Sequence, residues 1–296
     1  MNELAVVIPF AGEFQYVDET LDSLFPISNI DEVVVAIDST KINQIKAINY
    51  FAKRKAQFEK KSTRFKVVIS TVNGPSAARN EAVKSTECEF ILPIDCDDKI
   101  SPSYPSLIKD ILTRHEDIGI VYGQADLFDK ANGLWILPKF SNEQMCLENC
   151  IYASGGFRRQ DWLAVGGYDE KLIYGAEDWD FWLKLLSLGK KVHYIESEIC
   201  FHYRIRNGSR SESFKGMWDQ VIWTYTRICQ NNNTFMASQI ETIYRRRIEL
   251  ELENSSLKNI SRNIGKSLLR RFPKLRRYKG IKFLSNNRKR NYAQFR

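Results

Sequence analysis

The chain has 296 residues, 43% hydrophobic and 27% charged, an ordinary globular balance with ample length for a full core. No apolar run approaches the ~20 residues that span a bilayer, which excludes a membrane-spanning helix. The net charge of +8 is uneven: residues 265–296 hold twelve Lys/Arg and no acid, which leaves 32 basic against 36 acidic side chains in residues 1–264.

One large α/β domain with an appendage is the expected organisation. The division expected from the pattern is 1–212 for the α/β domain, 213–264 for a helical region and 265–296 for a basic amphipathic tail. Six scattered cysteines form no CxxC pair, and Cys146/Cys150 lack partners at zinc spacing. Free thiols in a reducing compartment are expected. Met1-Asn2-Glu3 followed by a short strand does not read as a signal peptide, so the expected location is cytoplasmic.

In chain order, Leu4–Pro9 is a short apolar, β-branched run closed by Pro, which predicts a buried strand. Phe14, Val17, Leu21 and Leu24 then recur at helical spacing. Asp31–Asp38 predicts a second strand ending on an acid, and Lys41–Lys60 a basic amphipathic helix. Phe65–Ser70 predicts a third strand. Asn73-Gly74-Pro75 opens a helix over Ser76–Lys84, and Glu89–Ile94 predicts a strand running into Asp95-Cys96-Asp97-Asp98. Strands alternating with helices argue for βαβ units and a parallel sheet. Ligands then bind beyond the carboxyl ends of the strands, where Pro9, Asp38 and Asp95 fall. Further on, Tyr104–His115 predicts a helix and Gly119–Phe128 a strand. Ser154–Arg159 predicts a strand leading into a helix over Gln160–Val165. Glu177–Leu188 predicts a helix, Val192–Tyr194 a short strand, and the chain from Gly216 reads as helical.

Three stretches carry chemistry. Three carboxylates in four residues raise one another's pKa unless a cation compensates, and hard oxygens suit Mg²⁺ or Mn²⁺. A solvated turn capping the next helix would also explain acids there. The second stretch is Gly175-Ala176-Glu177-Asp178-Trp179-Asp180-Phe181-Trp182. Acids suit a helix start. The interleaved aromatics suggest a partly dry carboxylate, as a sugar subsite or a general base would need. The third is His202-Tyr203-Arg204-Ile205-Arg206-Asn207-Gly208-Ser209-Arg210. Arginines, Ser and backbone N–H groups there match the needs of a pyrophosphate, and a charged surface turn is the bland alternative.

Taken together, the segments over residues 4–211 resemble the family 2 glycosyltransferases, nucleotide-sugar enzymes with the GT-A fold. The resemblance rests on VVIPF, EVVVAIDST, GPSAARNEAV, FILPIDCDD, GGYDE and GAEDWDFWLKLLSLGKKV, in the family's order and spacing. One departure is Ile37-Asp38-Ser39-Thr40, where the family usually shows VVDDGST, so one acid and the Gly are missing. The resemblance implies a Rossmann-like, mostly parallel α/β domain followed by a helical, basic extension. It implies that Pro9, Asp38, Asn73 and Arg79 hold the nucleotide base, that Asp95 contacts the ribose, and that Asp97 binds Mn²⁺ or Mg²⁺. Asp98 is open to either role, and His202 joins the metal. Arg206, Ser209 and Arg210 resemble a loop that closes over the pyrophosphate, and Gly155 and Gly156 a segment approaching the donor sugar. Asp178 resembles the catalytic base, with Glu177 orienting the acceptor hydroxyl.

The implied reaction is a single displacement with inversion, from a nucleotide sugar with uridine as the family's commonest base. The acceptor would be a glycan or lipid-linked saccharide in bacterial-type surface-glycan synthesis. In 265–296, Arg/Lys pairs alternate with Leu268, Leu269, Phe272, Leu275, Tyr278, Ile281, Phe283 and Leu284. That pattern predicts a basic amphipathic helix on an anionic membrane surface rather than a nucleic-acid contact, with the protein peripheral at the inner face of the membrane. Two rivals are a Mg²⁺-dependent nucleotidyltransferase, which would want a richer glycine loop than Gly12 provides, and a non-catalytic nucleotide-sugar-binding protein of the same fold.

Overall fold

A computed structural model describes residues 2–206 and 217–271. They fall into two compact units, 1–240 and 241–296.

The first unit is a mixed sheet flanked by helices. The strands are β1 (Leu4–Phe10), β2 (Glu32–Asp38), β3 (Arg64–Ser70), β4 (Phe90–Pro93), β5 (Lys99–Ile100), β6 (Ile118–Asp129), β7 (Gly133–Leu134), β8 (Gly156–Arg158) and β9 (Lys191–Ile205). The helices are α1 (Phe14–Leu24), α2 (Gln44–Glu59), α3 (Pro75–Ser85), α4 (Tyr104–Arg114), α5 (Asn142–Leu147), α6 (Arg159–Ala164), α7 (Glu177–Ser187), α8 (Trp218–Asn231) and α9 (Asn233–Ser238). The sheet order is β3-β2-β1-β4-β8-β6-β9-β5, with β7 paired to β6.

The first half follows the expected βαβ logic. β1 pairs parallel to β2 and to β4, and β2 pairs parallel to β3, so Pro9, Asp38 and Asp95 gather at one sheet edge. β1 and β2 are buried along nearly their whole length, which is why their sequences are continuous apolar runs rather than alternating ones. α1 buries Val17, Leu21 and Leu24, its predicted stripe. α2 begins at Gln44, because the Asn43 side chain accepts the Lys46 N–H at 3.0 Å. Pro75 at the first turn of α3 follows Gly74, whose φ of 109° favours glycine.

The second half departs further. β8 lies antiparallel between β4 and β6. It is shorter than the expected Ser154–Arg159, and α6 starts one residue earlier than expected. The expected three-residue strand at Val192–Tyr194 is a fifteen-residue strand, β9, parallel to β6 and antiparallel to β5. Its burial is irregular and its register with β6 shifts near Gly123 and Gln124, so no period-2 pattern marks it. The end of α8 meets α7 where Asn231 and the following Asn232 both donate to Asp180 at 2.9 Å, and Arg227 of α8 pairs with Asp169 in the turn before α7 at 2.5 Å.

The second unit, described only to Arg271, is helical. α10 (Ile240–Arg271) carries side-chain ion pairs such as Arg245–Glu241 and Arg247–Glu251 at four-residue spacing. Residues 272–296 of the expected amphipathic tail lie outside the described residues. Among the described residues no helix is long and apolar enough to cross a membrane.

Candidate active site

Beyond the ends of β2 and β4, carboxylates fasten the loops through backbone N–H groups. Asp38 is buried. Its Oδ1 accepts from the Thr40 N–H at 3.0 Å and the Thr40 hydroxyl at 2.5 Å, and its Oδ2 accepts from the Gly74 N–H at 3.0 Å. This acid therefore ties the turn after β2 to the start of α3. Asn73, between β3 and α3, is exposed, and Pro9 near the end of β1 is half-exposed.

In the acidic cluster, exposure alternates: Asp95 and Asp97 are half-exposed, whereas Cys96 and Asp98 are buried. The Asp97 Oδ2 accepts from Arg206 Nε at 2.5 Å. Burial pushes the Asp97 carboxyl up, Asp95 adds to the rise, and Arg206 opposes it. The Asp98 carboxylate accepts the Arg204 backbone N–H at 2.8 Å, which binds β9 to the cluster. Its pKa is raised well above the usual carboxylate value by burial and by Asp97 and Asp95. Arg204 is a brace that its plain appearance in the arginine stretch did not reveal. Its Nε donates to the Asp97 carbonyl at 2.7 Å, its Nη1 pairs with Asp129 at 3.0 Å, and its Nη2 pairs with Glu19.

His202 stands opposite Lys99 in the β5–β9 ladder. Its Nδ1 lies 2.6 Å from the Asp126 carboxylate, and its Nε2 lies 3.5 Å from the Ser101 hydroxyl. A carboxylate behind a histidine orients the other ring nitrogen for a metal. Among the described residues no three or more His, Cys, Asp or Glu form a group that could hold a metal. A carboxylate such as Asp97 and an imidazole such as His202 are donor types that suit a divalent ion completed by diphosphate oxygens. Ser209 and Arg210 lie outside the described residues.

Arg79 joins the two acidic sites. Only 1% exposed, it donates from Nη2 to Asp95 at 2.5 Å and from Nη1 to Glu177 at 2.7 Å. Burial works against its charge, but the two carboxylates raise its pKa above the ordinary arginine value. Its neighbour Asn80, missed in the sequence, accepts from Trp162 Nε1 at 3.1 Å and from the Tyr168 N–H at 2.9 Å, and it donates to Glu170 at 3.0 Å. Asn80 thus clips the GGYDE turn onto α3.

Asp178 is half-buried at the start of α7. Its Oδ2 accepts from Asn149 Nδ2 at 3.0 Å and its Oδ1 from the Trp179 N–H at 2.9 Å. Burial, then the Glu177 charge, push its pKa up to about 6 against the pull of Arg79. The rings beside this half-buried carboxylate do not form a sugar subsite. Trp179, Phe181 and Trp182 are all buried in the core, and Trp179 Nε1 donates to the Met145 carbonyl at 2.7 Å. Gly155 and Gly156 are likewise buried. A Cβ on Gly156 would stand 2.7 Å from the Ile108 side chain, and one on Gly155 3.1 Å from Trp182, so these glycines allow α4 and α7 to pack on the sheet.

With this geometry in place, comparisons with known proteins are informative. The model of the Glycosyl transferase family 2 matches residues 5–167, and that of the Glycosyltransferase like family 2 matches residues 141–251. The chain is 25% identical over 215 residues to the hyaluronan synthase of Pasteurella multocida, which covers 70% of this chain and 21% of that protein. The chain therefore spans about a fifth of that relative's length. Among solved structures, S. aureus TarS in complex with UDP-GlcNAc superimposes with a TM-score of 0.60 at 17% identity, covering 82% of this chain and 73% of that one. TarS in complex with UDP gives a TM-score of 0.55 at 18% identity, covering 79% and 70%. The shared architecture is the GT-A-like mixed α/β fold expected from the motifs. Because the first family model matches more than half of the sequence, the chain belongs to glycosyl transferase family 2.

Proposed function

We propose that this glycosyltransferase is inverting and moves a sugar from a nucleoside-diphosphate sugar, with uridine as the favoured base, to a hydroxyl of a glycan or lipid-linked acceptor. The observation that carries this reading is the Asp95–Arg79–Glu177 bridge, which ties the end of β4 to the start of α7, where Asp178 follows Glu177. The similar proteins include a hyaluronan synthase and complexes with UDP and UDP-GlcNAc, which supports a uridine diphosphate sugar as donor and a polysaccharide product.

In this reading, Asp178 takes the proton of the acceptor hydroxyl as that oxygen attacks the anomeric carbon. Glu177, held by Arg79, lines the same end of α7 and orients the hydroxyl. Arg206 would meet the diphosphate, and the family resemblance gives Ser209 and Arg210, outside the described residues, the same role; Asp38, Asn73, Pro9 and Asp95 would bound the nucleoside end. Asp97 and His202, with Asp98 buried behind them, would hold Mn²⁺ or Mg²⁺, which neutralises charge developing on the leaving diphosphate. Family membership sets aside the nucleotidyltransferase alternative.

A thermal-shift panel of nucleoside diphosphates and their sugars, with Mn²⁺ and with EDTA, tests the donor. The melting temperature should rise most for UDP and a UDP-sugar with Mn²⁺. Asp97→Ala should abolish the difference between Mn²⁺ and EDTA, and an unchanged shift would remove Asp97 from the metal site. The charge of residues 265–296 supports a peripheral position on the cytoplasmic face of an anionic membrane. Liposome sedimentation should show the intact chain pelleting with phosphatidylglycerol vesicles and a 1–264 truncation remaining in the supernatant. Equal pelleting would refute that role.

A further inference from the structure

We propose that Asn149 is a positioning residue for catalysis: its carboxamide holds the Asp178 carboxylate in the orientation that receives the acceptor proton. The proposal rests on Asp178 being the base.

Three observations converge on it. First, the amide is itself oriented. Its Oδ1 accepts the Ile151 N–H at 3.1 Å, which turns Nδ2 toward the Asp178 Oδ2 at 3.0 Å. A flipped amide would set an oxygen against a carboxylate and lose both bonds.

Second, the segment carrying Asn149 is fastened to α7. The Ser141 hydroxyl accepts the Gln144 N–H at 3.0 Å and caps α5. The Cys150 N–H meets the Met145 sulfur at 3.3 Å, and the Met145 carbonyl accepts Trp179 Nε1, one residue beyond Asp178, at 2.7 Å. The donor therefore arrives on a rigid support, as a group aiming a catalytic side chain requires.

Third, Asn149 completes a two-point grip. With the Trp179 N–H on Oδ1 and Asn149 on Oδ2, rotation of the carboxylate is fixed. The charged groups facing Asp178 are Glu177 beside it, Arg79 from α3 and Asp95 after β4, with Tyr168 nearby. Arg79 spends its hydrogen bonds on Glu177 and Asp95. Among the described residues, Asn149 makes the side-chain hydrogen bond to Asp178, and a donor to a carboxylate favours its charged form. Nothing in the sequence marks Asn149, which lies 29 residues from Asp178 in a loop.

The test is a titration that needs no substrate. Aspartate ¹³Cγ resonances are followed by NMR from pH 4 to 8 in the wild type, Asn149→Ala and Asn149→Asp, with the Asp178 signal assigned by its loss in Asp178→Asn. The Asp178 midpoint should rise by roughly half a unit in Asn149→Ala and by more than about one unit in Asn149→Asp, which puts a second acid beside it. Asn149→Asp keeps the shape and the acceptor for Ile151, so it decides the matter if the alanine variant is poorly folded. A wild-type midpoint in folded Asn149→Asp overturns the proposal. Release of UDP from UDP-GlcNAc with Mn²⁺ by Asp178→Asn at a wild-type rate would instead overturn the base assignment, whatever the titration shows.

Discussion

Replacing Asp178 with Asn should lower kcat by about 10²–10⁴-fold, the usual contribution of a positioned general base, with donor affinity nearly unchanged. The same change should not destabilise the protein at pH 7.5. The folded pKa of about 6 lies above that of an unfolded aspartate, near 3.9, so the folded state binds this proton more tightly. The stability it contributes is complete below about pH 3.9 and is lost as the pH rises through about 6. At neutral pH the charged carboxylate is a cost, which the amide removes. A variant that melts at or above the wild-type temperature at pH 7.5, yet is inactive, is therefore expected. In the wild type, kcat/KM should fall about tenfold per unit below pH 6, as the base takes up its proton. Activity within a few-fold of wild type in Asp178→Asn would exclude Asp178 as the base.

Arg79→Met should be the most destabilising of the single changes considered, because the buried guanidinium is shared by Asp95 and Glu177. Removing one partner from a buried ion pair costs about 3–5 kcal/mol, which for a unit of this size lowers the melting temperature by roughly 10 °C. Arg79→Lys should recover little of it, since a single ammonium cannot reproduce a fork that reaches two carboxylates. On the proposed roles of Asp95 and Asp178, donor affinity and kcat should both drop, because the bridge joins the end of β4 to the start of α7. Calorimetric melting of the three proteins checks this, and a melting temperature within about 2 °C of wild type for Arg79→Met would show that the bridge is not the tie described.

These two residues differ in how legible they were. Asp178 stood out because acids and aromatics crowd the start of a helical run, and burial and the neighbouring Glu177 are what raise its pKa. Arg79 read as a base-pocket residue in GPSAARNEAV, and the sequence held no sign that its fork closes on Glu177, 98 residues away. Asp38 was marked as a strand-ending acid, but the sequence did not show that both its oxygens serve backbone turns. The rings at 179, 181 and 182 suggested a sugar platform, and the structure buries them. An aromatic beside an acid has the same pattern whether its face meets solvent or core.

By itself, the sequence determined the parallel half of the sheet, the order of the motif segments and the family. These depend on local periodicity and on residue types at fixed spacing, which a one-dimensional pattern carries. Only the tertiary structure decided the length of β9, the bracing by Arg204 and Asn80, and the grip of Asn149 on Asp178. Each of these is a contact between segments distant in sequence, made by hydrogen bonds whose partners have no periodic signature. A hydrogen bond depends on distance and angle in space, and the chain order of its two ends records neither.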